Sequence, residues 1–217
     1  MKNTIIDLSQ PINPQMPPWP GSPDTEFYYL DQITDQDAAD RHCNSSRFAM
    51  NIHCGTHMDA PFHFFNSGRT IGQVPLEQTY GLATLADLRH VGAGSHIDRA
   101  DLLPFESQFR KTRKAILQTG WSKRWTQPEF FLEGPDLTKA AAQFLVDCNV
   151  ELVGVETASV DFAPHDIHLI LLGSGMLIVE NLTNLDRIPA AEFLFSAIPL
   201  NFEGRDGSPV RAVAIFP

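Results

Sequence analysis

The chain has 217 residues, 43% of them hydrophobic, and its 26 acidic against 16 basic side chains give a formal charge of −10 at pH 7. That apolar mass excludes an intrinsically disordered chain, and the carboxylate excess argues against nucleic acid or an anionic membrane as partner, since both require cations. No apolar run approaches the roughly 18 residues of a transmembrane span, the first ten residues do not read as a secretory signal, and three cysteines without CxxC spacing, Cys43, Cys54 and Cys148, point to a reducing, cytoplasmic setting.

In chain order, Thr4 to Ser9 reads as a strand. Six prolines from Pro11 to Pro23 then exclude a helix interior or a central strand, so Trp19 falls in an irregular surface segment. Residues 31–43 are polar and acidic, as expected of a solvated, mobile loop. Thr84 to Leu88 and Ala115 to Thr119 are short apolar runs between breakers, the pattern of buried strands. Arg110, Lys111, Arg113, Lys114, Lys123 and Arg124 form the one basic patch, read as a solvated rim. Asp136 or Thr138 caps a helix reaching about Asp147, with Ala141, Phe144, Leu145 and Cys148 at helical spacing. Glu151 to Glu156 is a strand, His165 to Leu172 a short helix stopped by Gly173 and Gly175, and Met176 to Glu180 another strand. Phe193 to Pro199 and Pro209 to Phe216 flank a hairpin connection at Glu203 to Gly207. No repeat, low-complexity tract or linker divides the chain. The expectation is a single domain, 1–217, of the β-rich α/β class with a mixed sheet and few helices.

The eight histidines are unevenly spread. His53, His57, Asp59 and His63 place four potential metal ligands within eleven residues. An i, i+4 pair on a helix, as in HExxH zinc sites, is excluded because Cys54 stands where the general-base Glu belongs and Gly55 and Pro61 oppose a helix. Parity gives a better reading. His53, Gly55, His57, Asp59, Pro61 and His63 alternate with Ile52, Cys54, Met58, Phe62 and Phe64, so one face of an extended segment is ligand-like and the other apolar. Same-side residues of a flat strand lie about 6–7 Å apart, whereas donors around one ion lie much closer, so the segment must bend, at Gly55 and Pro61. Imidazoles with a carboxylate leave coordination positions open, as in catalytic zinc sites; such donors also suit manganese or ferrous iron. His42, His90 and His96 read as surface or turn residues. His165 and His168 share a helix face, in a capping or core role. Glu180 closes a buried strand, where α/β sheets place ligands.

His53-Cys54-Gly55-Thr56-His57-Met58-Asp59-Ala60-Pro61-Phe62-His63-Phe64 resembles the HxGTHxDxPxH signature of the cyclase-like metal hydrolases, which include kynurenine formamidases and isatin hydrolases. The resemblance continues through Ile6-Asp7-Leu8-Ser9, Trp19-Pro20-Gly21, Gln118-Thr119-Gly120-Trp121, Ser159-Val160-Asp161, His168 with Leu171-Leu172, and Glu180-Asn181-Leu182. Glu156 stands where an Asp is common and Phe162 where a Pro is. The resemblance implies a swivelling β/β/α-type domain, a homodimer, and one or two zinc ions, with manganese as an alternative. It implies a first metal on His53, His57 and Asp59, a second on Asp59, His63 and Glu180, and His168 as the acid/base with Glu180 holding an ion or orienting it. The reaction implied is hydrolysis of an amide C–N bond in a small aryl substrate walled by Trp19 and Phe64, with Phe27 and Tyr28 as further candidates. Hydrolysis of a small cyclic amide, and a non-catalytic metal-binding protein of the same fold, are the alternatives; a thiol hydrolase using Cys54 and His57 is remote.

Overall fold

A computed structural model describes residues 4–33 and 43–216. His42 and most of the polar 31–43 stretch lie outside them. The strands are β1 (Thr4–Asp7), β2 (Glu26–Asp31), β3 (Ser45–Ala49), β4 (His57–Asp59), β5 (Tyr80–Asp87), β6 (His96–Ile97), β7 (Lys114–Gln118), β8 (Asp136–Leu137), β9 (Leu152–Val155), β10 (Leu177–Glu180), β11 (Glu192–Ser196), β12 (Gly207–Pro209) and β13 (Val213–Phe216). The helices are α1 (Leu76–Thr79), α2 (Arg99–Leu102), α3 (Glu106–Thr112), α4 (Lys139–Asp147) and α5 (Asp166–Gly173). The architecture is the expected α/β one, with a large mixed sheet and few helices.

Nine strands form one sheet in the order β1-β13-β11-β5-β7-β9-β10-β4-β12. Its centre, β5-β7-β9-β10, is parallel and its flanks are antiparallel. Parallel strands covered on both faces read as continuous apolar runs, and β7, β9 and β10 are buried at every residue. Ala115, Leu117, Val153 and Ile178 face α2 to α5; Ile116, Leu152, Leu177 and Val179 face a second core with Met58, Phe193 and Phe195. Thr138 caps α4 by accepting a hydrogen bond from the Ala141 amide.

The hairpin between β11 and β13 exists, with Leu194 opposite Ile215 and a bridge from Pro199 to Val210. It also does more than turn. Its returning limb, β12, pairs with β4, placing Gly207 opposite Asp59 and Pro209 opposite His57. β12 thus joins one end of the sheet while β13, four residues later, joins the other, so the sheet curls onto itself. The basic patch is a rim of ion pairs: Arg110–Glu106, Lys111–Glu192, Arg113–Glu151, Lys123–Asp186 and Arg124–Glu129. Lys114 departs from it; it is buried and donates to the Glu77 carbonyl. Outside the main sheet, β2 and β3 form a two-stranded ribbon whose Tyr29 and Leu30 are 69% and 67% exposed. Among the described residues no helix is long and apolar enough to cross a membrane.

Candidate metal centre

The four clustered ligand candidates do converge, by the bend their sequence predicts. His57 and Asp59 lie two apart on β4 and share a face. His53 reaches them through a turn in which Gly55 adopts φ +66°; a Cβ there would also meet the Met16 sulfur at 2.9 Å. His63 sits on a 3₁₀ turn opened by Pro61. Cys54, which alternates with the ligand candidates, is buried. β10 lies antiparallel beside β4 with Glu180 opposite His57, which puts the carboxylate at the C-terminal end of a parallel strand against the cluster. α5 delivers His168.

The distances define two overlapping donor sets. In one, Asp59 Oδ1 lies 2.8 Å from His53 Nδ1 and 3.4 Å from His57 Nε2. In the other, His168 Nε2 lies 3.8 Å from Asp59 Oδ2 and 3.6 Å from Glu180 Oε1. Glu180 Oε2 is 3.3 Å from His57 Nε2, linking the two. Two of these atoms, His57 Nε2 and Asp59 Oδ2, are buried without a hydrogen-bond partner. Leaving such groups unpaired is costly, and a divalent cation satisfies an imidazole nitrogen and a carboxylate oxygen together. The residues present therefore fit a metal.

Three of the histidines are braced from behind. His57 Nδ1 donates to the Gly55 carbonyl at 2.9 Å, His53 Nε2 bonds Asp206 at 2.5 Å, and His168 Nδ1 bonds Asp161 at 2.5 Å. This is how metal-ligating imidazoles are oriented and their tautomer fixed. Asp161 also accepts from the Ile167 and His168 amides, tying the start of α5 to the site. Asn181, at φ +60°, donates to the same Gly55 carbonyl that holds His57. His63 has no such brace: its ring stacks on His53 with centroids 4.0 Å apart, and Asp206 is 3.5 Å from its Nδ1.

Electrostatics separates His63 in the same way. Burial pushes His53 down, but Asp59 and Asp206 outweigh it and lift the ring to about 9. Burial also opposes protonation of His168, which Asp161, Glu180 and Asp59 nonetheless raise to about 10. His57 is raised well above the usual value by Asp59 and Glu180 against its burial. Asp59 is held well below the carboxylate range because the surrounding imidazoles overcome its burial. His63 moves the other way: burial lowers it.

The donors open onto a cavity of about 300 Å³ walled by Trp19, Phe64 and Ala158, with Ser22, Asn51, Ser159 and His165 adding polar edges. Trp19 packs edge-on against Phe131 at 5.8 Å, in an aromatic cluster with Trp121, Trp125 and Phe130. Phe27 and Tyr28 do not line this cavity; they sit on the exposed β2–β3 ribbon. Sequence reasoning missed Asp206 and any role for Asp161, although Ser159-Val160-Asp161 stood out as a motif.

The family model for the Cyclase family matches residues 6–162. The kynurenine formamidase of Bacillus cereus is 33% identical over 213 residues, covering 96% of this chain and 95% of that protein. Isatin hydrolase A from Labrenzia aggregata, solved with benzyl benzoate, superposes with a TM-score of 0.85 at 23% identity, over 98% of this chain and 93% of the other. A structure described as a potential metal-dependent hydrolase with cyclase activity superposes with a TM-score of 0.79 at 26% identity, over 99% and 98% of the two chains.

Proposed function

Because the chain belongs to the Cyclase family, we propose that it is a metal-dependent hydrolase that cleaves the amide C–N bond of a small aryl formamide, as a kynurenine formamidase does. The observation that carries this reading is the pair of unpartnered buried atoms, His57 Nε2 and Asp59 Oδ2, on neighbouring ligand candidates of which Asp59 lines an aromatic-walled cavity. We propose zinc, as one or two ions, with manganese as the alternative. His53, His57 and Asp59 would hold the first ion, and Asp59, Glu180 and His168 the second. When bound, the metal would polarise the scissile carbonyl and lower the pKa of an attacking water.

The residues supply the rest. Trp19 and Phe64 would sandwich the aryl ring and exclude bulk water. Asp161, Asp206 and the Gly55 carbonyl hold three imidazoles in place, which keeps the donor atoms aimed inward. His63 would take the proton from water and deliver it to the leaving nitrogen. This exchanges two expectations from sequence, which gave His63 to the second ion and the acid/base role to His168. The exchange is favoured because His168 Nε2 faces Asp59 and Glu180 while Asp161 holds its Nδ1, whereas His63, stacked on His53, alone of the four has no hydrogen-bonded brace. The exposed β2–β3 ribbon supports a homodimer, and the free cysteines support a cytoplasmic enzyme, by the formamidase analogy in tryptophan breakdown.

Two variants test the roles together. For His63→Ala, metal content should stay at the wild-type level while turnover of N-formyl aryl amines falls about 10²–10⁴-fold. His168→Ala should instead lose bound metal. The reverse outcome restores the sequence-based assignment. A panel adding cyclic amides such as isatin decides between the aryl formamide and the cyclic substrate, and no turnover of any member by metal-loaded protein would leave a metal-binding protein without catalysis.

A further inference from the structure

We propose that the end of the sheet opposite the metal centre carries a second binding site, for a small α-hydroxy carboxylate: Arg69 takes the carboxylate, and the side-chain carbonyl of Gln78 takes the hydroxyl. This site is built from residues apart from the metal centre and does not rest on the hydrolase reading.

Glu180 stands at the C-terminal end of β10, whereas Gly175 and Met176 precede its first residue. Around them the α3–β7, α4–β9 and α5–β10 connections meet α1 at a cavity of about 260 Å³. That is below the roughly 300–1,000 Å³ of pockets for drug-sized ligands, so its occupant is a small metabolite. One backbone acceptor gathers two of the lining side chains. Arg69 Nη2 donates to the Gly175 carbonyl at 3.0 Å, and Gln78 Nε2 reaches the same oxygen at 3.5 Å. The shared carbonyl also fixes which way the Gln78 amide faces, because turning it over would set its oxygen against the Gly175 oxygen. Gln78 Oε1, in the orientation that remains, is buried without a hydrogen-bond partner.

The charges around the cavity select the ligand. Its charged lining residues are Arg69, Arg113 and Glu151. Glu151 is committed to Arg113, with Oε1 2.7 Å from Nη2, and Arg113 Nε donates to the Asn149 carbonyl at 3.2 Å. Among the described residues no carboxylate lies within ion-pair distance of Arg69. A guanidinium carries several N–H donors, of which the Gly175 carbonyl occupies one, so Arg69 keeps donors for a carboxylate, its natural bidentate partner. The buried Gln78 oxygen needs a donor, since leaving such an acceptor unmet is costly. With Glu151 neutralised by Arg113, no free anion is left to hold an ammonium beside two guanidiniums, so that donor is a neutral hydroxyl. Arg69 and Gln78 share one carbonyl, so the groups they bind lie close together on the ligand, as they do in an α-hydroxy carboxylate.

Glycolate, acetate and glycine share one carbon frame and carry a hydroxyl, a hydrogen or an ammonium beside the carboxylate. Each is titrated into the metal-loaded full chain while NMR follows the Gly175 amide and the Arg69 side-chain Nε–H. Chelation of the metal by the same probes is thereby read apart, because it acts at the other end of β10. Wild type should bind glycolate about five- to tenfold more tightly than acetate, the scale of one hydrogen bond to an otherwise unmet buried acceptor, and glycine no more tightly than acetate. Gln78→Leu, similar in size but without the acceptor, should bring the glycolate-to-acetate ratio near one and leave acetate affinity in place. Arg69→Met should weaken both acids about tenfold or more, as expected for hydrogen bonds to a charged group; should that variant not fold, the wild-type series and Gln78→Leu decide alone. Wild-type shifts that do not saturate, glycolate no tighter than acetate, glycine as tight as glycolate, a preference that survives Gln78→Leu, or affinities untouched in a folded Arg69→Met protein each overturn the proposal.

Discussion

At the scale of single residues, burial without a partner is the most informative quantity in this molecule. His57→Ala removes an imidazole that is 1% exposed and reaches both Asp59 and Glu180; bound metal and hydrolysis should both be lost while circular dichroism still reports the native fold, and activity retained without metal would sink the mechanism. Glu156 shows burial acting on a carboxylate outside the site. Its Oε2 accepts from the Thr119 and Gly120 amides at 2.7 and 2.5 Å and its Oε1 from Ser122 Oγ at 2.6 Å, yet burial still raises its pKa. A carboxyl group with a raised folded-state pKa binds its proton more tightly in the native than in the unfolded chain, so it costs stability as pH climbs from the ordinary carboxylate range through the raised value. Glu156→Gln keeps the geometry, its oxygen accepting the two amides and its NH₂ donating to Ser122. The melting temperature of the variant relative to wild type should therefore rise as pH increases across that window. The ligand candidates were legible in the sequence because they are dense and alternate. Asp206 was not, because a lone carboxylate in a turn, 153 residues from the His53 it holds, has no local pattern to announce it.

Elements show why that pattern worked and where it stopped. β7, β9 and β10 were legible as short apolar runs because both of their faces are covered, and α4 because its apolar spacing and its Thr138 cap agree. The pairing of β12 with β4 was hidden, since three residues, Gly-Ser-Pro, carry no strand periodicity. Their place is dictated by space rather than propensity. A Cβ on Gly207 would sit 2.7 Å from the Met58 carbonyl and 3.0 Å from the His53 ring, so only glycine lets β12 approach the ligand-bearing strand. Gly207→Ala should cost about 1–3 kcal/mol in chemical denaturation, the usual scale for overpacking a filled site, and weaken metal binding in chelator competition. An alanine there that leaves both unchanged would mean β12 is not held against β4. The β2–β3 ribbon was illegible for the opposite reason: its residues pack on little within the chain, so core periodicity does not apply to them.

For the whole molecule, the site acts as a cross-brace between segments distant in sequence, from Asn51–His63 through Asp161–Glu180 to Asp206. A ligand that binds only the native state adds stability in proportion to the logarithm of its saturation, about 2.7 kcal/mol at one hundred times its dissociation constant. Stripping the metal should lower the melting temperature by several degrees, and adding back zinc should restore it in a concentration-dependent way; a melting temperature indifferent to metal would separate the ion from the fold. The curl of the sheet has a further consequence, for synthesis on the ribosome. The ligand strand β4 emerges well before its outer neighbour β12, and the brace Asp206 follows His53 by 153 residues. Over that interval a nascent chain carries three histidines and an aspartate with no finished pocket to receive an ion. A metal that needed the full set of groups would therefore be taken up only after β12 and Asp206 have emerged and closed against β4 and His53.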